Sequence, residues 1–321
     1  MGRMTSRNLF FSAACIACLT AAVFAAGGPG SSGERKARKR VAATAPAPGA
    51  ARADGGAARR VGFIRHAPVR ESSGLVASRQ FPDVYWTHND KGNAPVLYAI
   101  DRTGALLAEF HVAASHDDWE DVATDAEGNL YIGNVGNNNA ARDWLEVHRL
   151  PEPDPTAPAK DRRPILKPDK SWRLTFPAEP FDCESLFVHD THGYVVSKVF
   201  GGKPAKVYRF PLAGEGDVTL EEVATLPTDG PVTAADLSAD GNRLAVLTYG
   251  RLYTFEVGGE IACAAKAEPM VVDVPKEKVE GACFARDGIL ISSEGRALYF
   301  VPPFTPVQAT AGGSDAVQDA R

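Results

Sequence analysis

The chain has 321 residues, 44% of them hydrophobic, and its 35 lysines and arginines against 40 aspartates and glutamates leave a formal net charge of −5. The charge is unevenly divided, with −13 over residues 61–321 and +6 over residues 27–60. A body this acidic excludes nucleic acid as its ligand and suits cations, or a substrate approached through bound cations.

In chain order, Arg3 and Arg7 precede an apolar run over 9–26 whose end, Val23-Phe24-Ala25-Ala26, has the small residues a signal peptidase requires. Residues 1–26 therefore read as an export signal, which predicts a periplasmic or extracellular protein. Left uncleaved, a run of this length would tether the chain to a membrane instead. Residues 27–59 are Ala, Gly, Pro and Arg with almost nothing large and apolar, and include the basic cluster Arg35-Lys36-Ala37-Arg38-Lys39-Arg40. Such a segment buries too little surface to offset its ordering entropy and reads as a disordered linker, as does the 305–321 tail. One folded domain over 60–304, expected to be a monomer, lies between them. Of five cysteines, Cys15 and Cys18 fall in the leader; Cys183, Cys263 and Cys283 allow at most one disulfide.

Within that domain an acidic residue opens an apolar strand five times, at Glu71, Glu120, Glu184, Asp236 and Glu280, with spacings of 49, 64, 52 and 44 residues. Strands repeating at this period predict an all-β, single β-propeller. Expected strands fall at 74–77, 84–88, 96–100 and 106–112; at 121–124, 130–133, 145–150 and 172–176; at 185–188, 194–198, 206–210 and 221–226; and at 237–238, 244–249, 251–257 and 270–274. The fifth repeat shows only 282–285, 289–292 and 297–301. An N-terminal strand over 60–66 is expected to complete it and close the ring, since an unclosed ring exposes two sheet edges. The Pro-rich loop 151–168 accounts for the long second spacing. Five four-stranded blades follow, with six as the alternative if a blade hides in 151–183.

The start of each innermost strand and the end of the next lie on one face of the disc, because the two run antiparallel. That rule gathers Glu71 and Ser73 with His88, Asn89 and Asp90; Asp118, Glu120 and Asp121 with Asn134 and Asn137; Glu184 with Lys198; Asp236 with Tyr249; and Glu280 with Glu294. Converging carboxylates repel unless protonated, hydrogen-bonded or neutralised by a cation, and hard oxygen donors suit calcium. The expected metal ligands are Glu120, Glu184, Asp236 and Glu280, with Asn134 and Asn137 as neutral donors. His88, Asp90 and Lys198 are the catalytic candidates, His88 as general base and Lys198 either neutralising Glu184 or Glu294 or holding an anionic ligand. Glu71, Ser73, Asn89, Asp121, Tyr249 and Glu294 are expected to contact a small ligand. The competing reading has each acid accept hydrogen bonds from backbone N–H groups of the next blade. Trp86 and Trp119 are expected to pack between blades rather than wall a ligand site. The chain has no Gly-x-Ser-x-Gly elbow, Gly-rich phosphate loop, His-Glu-x-x-His or dinucleotide fingerprint, so serine-hydrolase and nucleotide-enzyme readings have no motif behind them.

The strings Trp86-Thr87-His88-Asn89-Asp90-Lys91-Gly92-Asn93, Asp118-Trp119-Glu120-Asp121-Val122-Ala123 and Leu130-Tyr131-Ile132-Gly133-Asn134-Val135-Gly136-Asn137-Asn138 resemble a family of exported bacterial β-propellers, and are more distantly similar to phytase-like and gluconolactonase-like propellers. The resemblance implies the fold, a calcium ion at the channel, and hydrolysis of a phosphate ester or lactone. At 133–138 two of the family's carboxylates are amides, and Lys91 stands where the family has a small Ser; both changes weaken a cation site. From a different class, a non-catalytic scaffold that binds an envelope protein or glycan through its loops is the alternative.

Overall fold

The computed structural model describes residues 51–52, 57–157 and 164–303. The expected leader, most of the linker and the 305–321 tail lie outside them. The described chain is all β, five four-stranded antiparallel sheets arranged as a five-bladed propeller. Blade 1 holds Ser72–Ala77, Tyr85–Asn89, Val96–Ile100 and Leu106–His111; blade 2 holds Asp121–Thr124, Asn129–Asn134, Trp144–Pro151 and Lys170–Thr175. Blade 3 holds Asp182–His189, His192–Lys198, Ala205–Pro211 and Glu221–Leu226; blade 4 holds Val232–Leu237, Arg243–Thr248, Arg251–Glu256 and Met270–Asp273. Blade 5 holds Val279–Ala285, Gly288–Ser293 and Ala297–Val301, completed by Arg59–Phe63, which pairs antiparallel with Ala297–Val301 and closes the ring.

Burial changes outward along each blade. The innermost strands are packed on both faces, so Ser72–Ala77 and Asp121–Thr124 are buried almost throughout. The outermost strands alternate, as in Leu106–His111 and Lys170–Thr175, because one face meets solvent. The apolar core divides into five clusters, one at each blade interface. Trp86, Phe110 and Trp119 join blades 1 and 2; Tyr131, Trp172 and Phe210 join blades 2 and 3; Phe187, Tyr194 and Phe255 join blades 3 and 4. Leu247 and Ile291 belong to the cluster between blades 4 and 5, and Leu75 and Leu290 to the one that closes blade 5 on blade 1. Five interfaces for five sheets leave no place for a sixth blade.

Two pairings were not legible beforehand. Gly216–Thr219 adds in parallel to Lys170–Thr175 at the rim of blade 2, and Ala51–Arg52, inside the expected linker, pairs in parallel with Met270–Asp273. The Pro-rich loop is anchored on blade 1: Leu166 exchanges backbone hydrogen bonds with His111 and Ala113, and the Trp86 indole N–H donates to Glu152 at 2.6 Å. All three described cysteines are free, Cys183 and Cys283 being buried in different blades. Among the described residues no helix is long and apolar enough to cross a membrane.

Candidate functional site

One irregularity recurs near the same end of the inner strands. The register shifts by an extra residue at Gly74 in blade 1, at Glu184-Ser185 in blade 3, at Thr233 in blade 4 and at Glu280 in blade 5. In blade 2, Glu120 donates its N–H to the Gly133 carbonyl at 2.9 Å, beside the Asp121–Gly133 pair. Such bulges re-aim a side chain out of the pleat. Corresponding positions are therefore Gly74, Glu120, Glu184, Thr233 and Glu280, and the acidic repeat read from sequence is three residues out of phase in blades 1 and 4.

At this mouth one oxygen each from Asp90, Asp118 and Glu120 lies within 4.8 Å of the others. Asp90 sits where the second strand of blade 1 ends, its N–H bonded to the Glu71 carbonyl at 3.1 Å. Asp118 and Glu120 flank Trp119 in an extended segment, so that alternate side chains share one side while the indole is fully buried. Asp118 receives the Lys91 ammonium at 3.1 Å and the Asn138 amide at 3.2 Å. Glu120 is 5% exposed and has no hydrogen-bond donor among the described residues. Gly136 passes so close that a Cβ there would lie 2.4 Å from Asp118 Oδ2 and from Glu120 Oε1.

Glu184 and Glu280 extend the acidic mouth. Glu184 pairs with Lys198 through Oε1, while its Oε2 is buried without a partner. The Lys198 ammonium lies 5.4 Å from the Tyr249 ring centre and 5.9 Å from that of Phe200, both rings being exposed. The Tyr249 hydroxyl donates to Glu280 Oε1 at 3.3 Å. Burial pushes Glu184 and Glu280 up to about 7; the Lys198 charge opposes the shift in Glu184, whereas Glu184 and Glu294 add to it in Glu280. Glu120 is raised well above the usual carboxylate range, first by burial and then by Glu184, Asp90 and Asp118.

The other sequence candidates lie elsewhere or serve the scaffold. His88 is fully buried between blades 1 and 2, edge-on to Trp119 at 5.7 Å, and desolvation lowers its pKa to about 4. It does not face the mouth, which corrects its reading as a general base. Asp236 lies three residues beyond the blade 4 bulge, is only partly buried, and accepts the Phe284 N–H of blade 5 at 2.8 Å. Asp121 does the same for Leu186 of blade 3 at 2.9 Å. For these two acids the inter-blade hydrogen-bond reading holds. Asn134 turns its carbonyl oxygen to the N–H groups of Asp117 and Asp118, at 3.2 and 2.8 Å, and so shapes the loop that carries Asp118. The Asn137 carbonyl oxygen accepts from Arg142 N at 2.7 Å, and its amide holds the carbonyls of Arg142 and Phe181. The oxygens expected of both amides as metal donors are thus already engaged.

Asn89 ties the incoming chain through Arg70 N and Glu71 N, and the Ser73 hydroxyl donates to the Glu120 carbonyl at 3.1 Å. Glu71 accepts from Asn93 at 3.2 Å, and Glu294 pairs with Lys278 at 2.9 Å on the rim. Asp118 and Gly136 are positions at the mouth to which residue type alone assigned no role. The alternation Asp118-Trp119-Glu120 was the available signal for the first; the close approach of Gly136 has no sequence signature.

No family model and no curated protein matches this chain. Solved structures similar in fold include a catalytically inactive virginiamycin B lyase from Staphylococcus aureus with quinupristin, 12% identical, with a TM-score of 0.38 over 72% of this chain and 66% of that one. The nidogen/laminin complex is 10% identical, with a TM-score of 0.43 over 72% of this chain and 74% of that one. The chain thus spans just under two thirds of the lyase's length, and at these identities the likeness concerns the fold alone.

Proposed function

We propose that the acidic mouth binds a hard divalent cation, calcium by its all-oxygen donor set, and holds a small oxygen-rich ligand beside it. The observation that supports this reading most is the convergence of Asp90, Asp118 and Glu120 next to a buried, unpartnered oxygen of Glu184. Carboxylates this close, with Glu120 lacking any donor among the described residues, are costly without a counter-cation beyond Lys91. Three carboxylates leave several of calcium's six to eight positions for water and ligand. Lys91 supplies part of the countercharge to Asp118; its half-exposed ammonium is free to swing out as a cation enters.

The neighbouring groups suit the ligand. Tyr249 and Phe200 offer exposed ring faces, and Lys198 stands between them, held by Glu184. Glu280, with its pKa near neutrality, can accept or release a proton at the rim. A bound cation would polarise a phosphoryl or carbonyl oxygen, which makes phosphate esters and lactones the first compounds to screen for hydrolysis. Export to the periplasm or cell exterior, where calcium is plentiful, belongs to the same proposal.

Calorimetric titration of calcium into the full chain tests it. The expected result is one saturable site, lost in Glu120→Gln and tightened in Lys91→Met. Absence of binding heat, or binding that Glu120→Gln leaves unchanged, refutes the reading.

A further inference from the structure

At the opposite end of the channel an open cavity of about 380 Å³ lies between blades 4, 5 and 1, with Arg79 and Arg286 exposed on its edge. Three arginines line it. Arg79 follows the inner strand of blade 1, Arg243 opens the second strand of blade 4, and Arg286 lies in the blade 5 hairpin. Among the described residues none of the three is ion-paired. Arg243 lies 5.3 Å over the Phe284 ring, Arg79 reaches only the Leu237 carbonyl at 3.5 Å, and the Arg286 side chain makes no hydrogen bond.

Arginines on the outer strands behave differently. Arg149, Arg173 and Arg209 each take a carboxylate, at 2.6, 2.6 and 2.9 Å. Three aspartates, Asp83, Asp236 and Asp240, also line the cavity, and two of them are engaged: Asp236 accepts from Phe284 N, and Asp240 accepts from the Ser238 hydroxyl and Asn242 N. Nearby Asp287 is held by Arg102. Asp83 has no hydrogen bond among the described residues, and although the charges of Arg79, Arg243 and Arg286 are felt by Asp236, Asp240 and Asp287 in turn, none of the three guanidinium groups is closed by an ion pair, so their N–H donors stay available.

Guanidinium forks are pre-organised for bidentate binding of an oxyanion, and three of them favour a dianion over a single carboxylate. The volume falls in the range of small-ligand sites. We propose that this cavity binds a small phosphate-bearing ligand, with the phosphate held by Arg79, Arg243 and Arg286 and the remainder against Val76, Pro82 and Phe284. The site is separate from the acidic mouth and needs no cation.

Calorimetric titration of inorganic phosphate into the full chain, in low-salt buffer freed of divalent metals, tests it without involving the mouth. Sub-millimolar binding is expected, with succinate at least about tenfold weaker. Arg243→Gln combined with Arg286→Gln should weaken phosphate binding by at least about tenfold while the melting temperature moves by no more than about 2 °C. If that pair unfolds the protein, Arg79→Gln, on an exposed loop, must show the loss by itself. No phosphate binding, binding unchanged by these substitutions, or equal affinity for succinate overturns the proposal.

Discussion

Replacing Gly136 by Ala probes the mouth with one added methyl. Gly136 lies outside the left-handed region, so alanine meets no backbone strain there; the test is purely one of space. The new Cβ would stand 2.4 Å from Asp118 Cγ, Asp118 Oδ2 and Glu120 Oε1, about 1 Å inside ordinary contact. Both carboxylates are buried, so they can give way only by moving into the space that a cation would occupy. Overpacking of this kind costs roughly 1–3 kcal/mol. If the proposed site takes calcium, the ion at 100 times its dissociation constant would add about 2.7 kcal/mol to the parent protein, or roughly 5–10 °C for a domain of this size. In thermal melts of the full chain with excess calcium and with chelator, the parent should show that shift. Gly136→Ala should melt a few degrees lower in chelator and shift by less than about 1 °C with calcium. A variant that keeps the full calcium shift would refute the placement of the cation between Asp118 and Glu120.

Asp236 makes stability depend on pH. Burial raises its pKa from 3.8 to about 6, against the opposing hydrogen bond from Phe284 N. Between those values the folded state holds a proton that the unfolded state has released, so this group lowers stability as pH rises from about 4 to about 6, with no further change above. Asp236→Asn keeps an acceptor for Phe284 N and removes the titration; urea denaturation should find it more stable than the parent at pH 7.5, by up to roughly 3 kcal/mol, and no better at pH 4. An equal difference at both pH values would show that Asp236 does not titrate in this window. Lys198→Met leaves the buried Glu184 without its counter-ion, so the carboxyl takes up a proton at pH 7 and the loss in urea denaturation should be roughly 1–3 kcal/mol, most of it recovered by adding Glu184→Gln. A loss below about 1 kcal/mol, or no recovery in the double variant, would mean that the pair does not carry the contact.

The five-bladed architecture and its closure by an N-terminal strand were legible in the chain itself. Apolar strands punctuated by Gly, Asn and Asp turns recur at blade spacing, and a repeat of that period has one architecture that buries every sheet face. The rule that joins the start of one strand to the end of the next placed Glu120, Glu184, Lys198, Glu280 and Tyr249 at one mouth, since antiparallel pairing alone brings them there. Residue type could not say which polar groups are spent on the scaffold. Asp121 and Asp236 look like mouth acids but hold the next blade's N–H groups, and Asn134 and Asn137 look like metal donors but clamp loops. Bulges of a single residue at Gly74 and Thr233 put the acidic repeat out of phase, and a shift that small leaves no trace in a pattern whose period itself varies from 44 to 64 residues. Strand pattern and turn chemistry are local and determined the fold; the site depended on which backbone donors each carboxylate meets across a blade interface, and only the closed ring decides that.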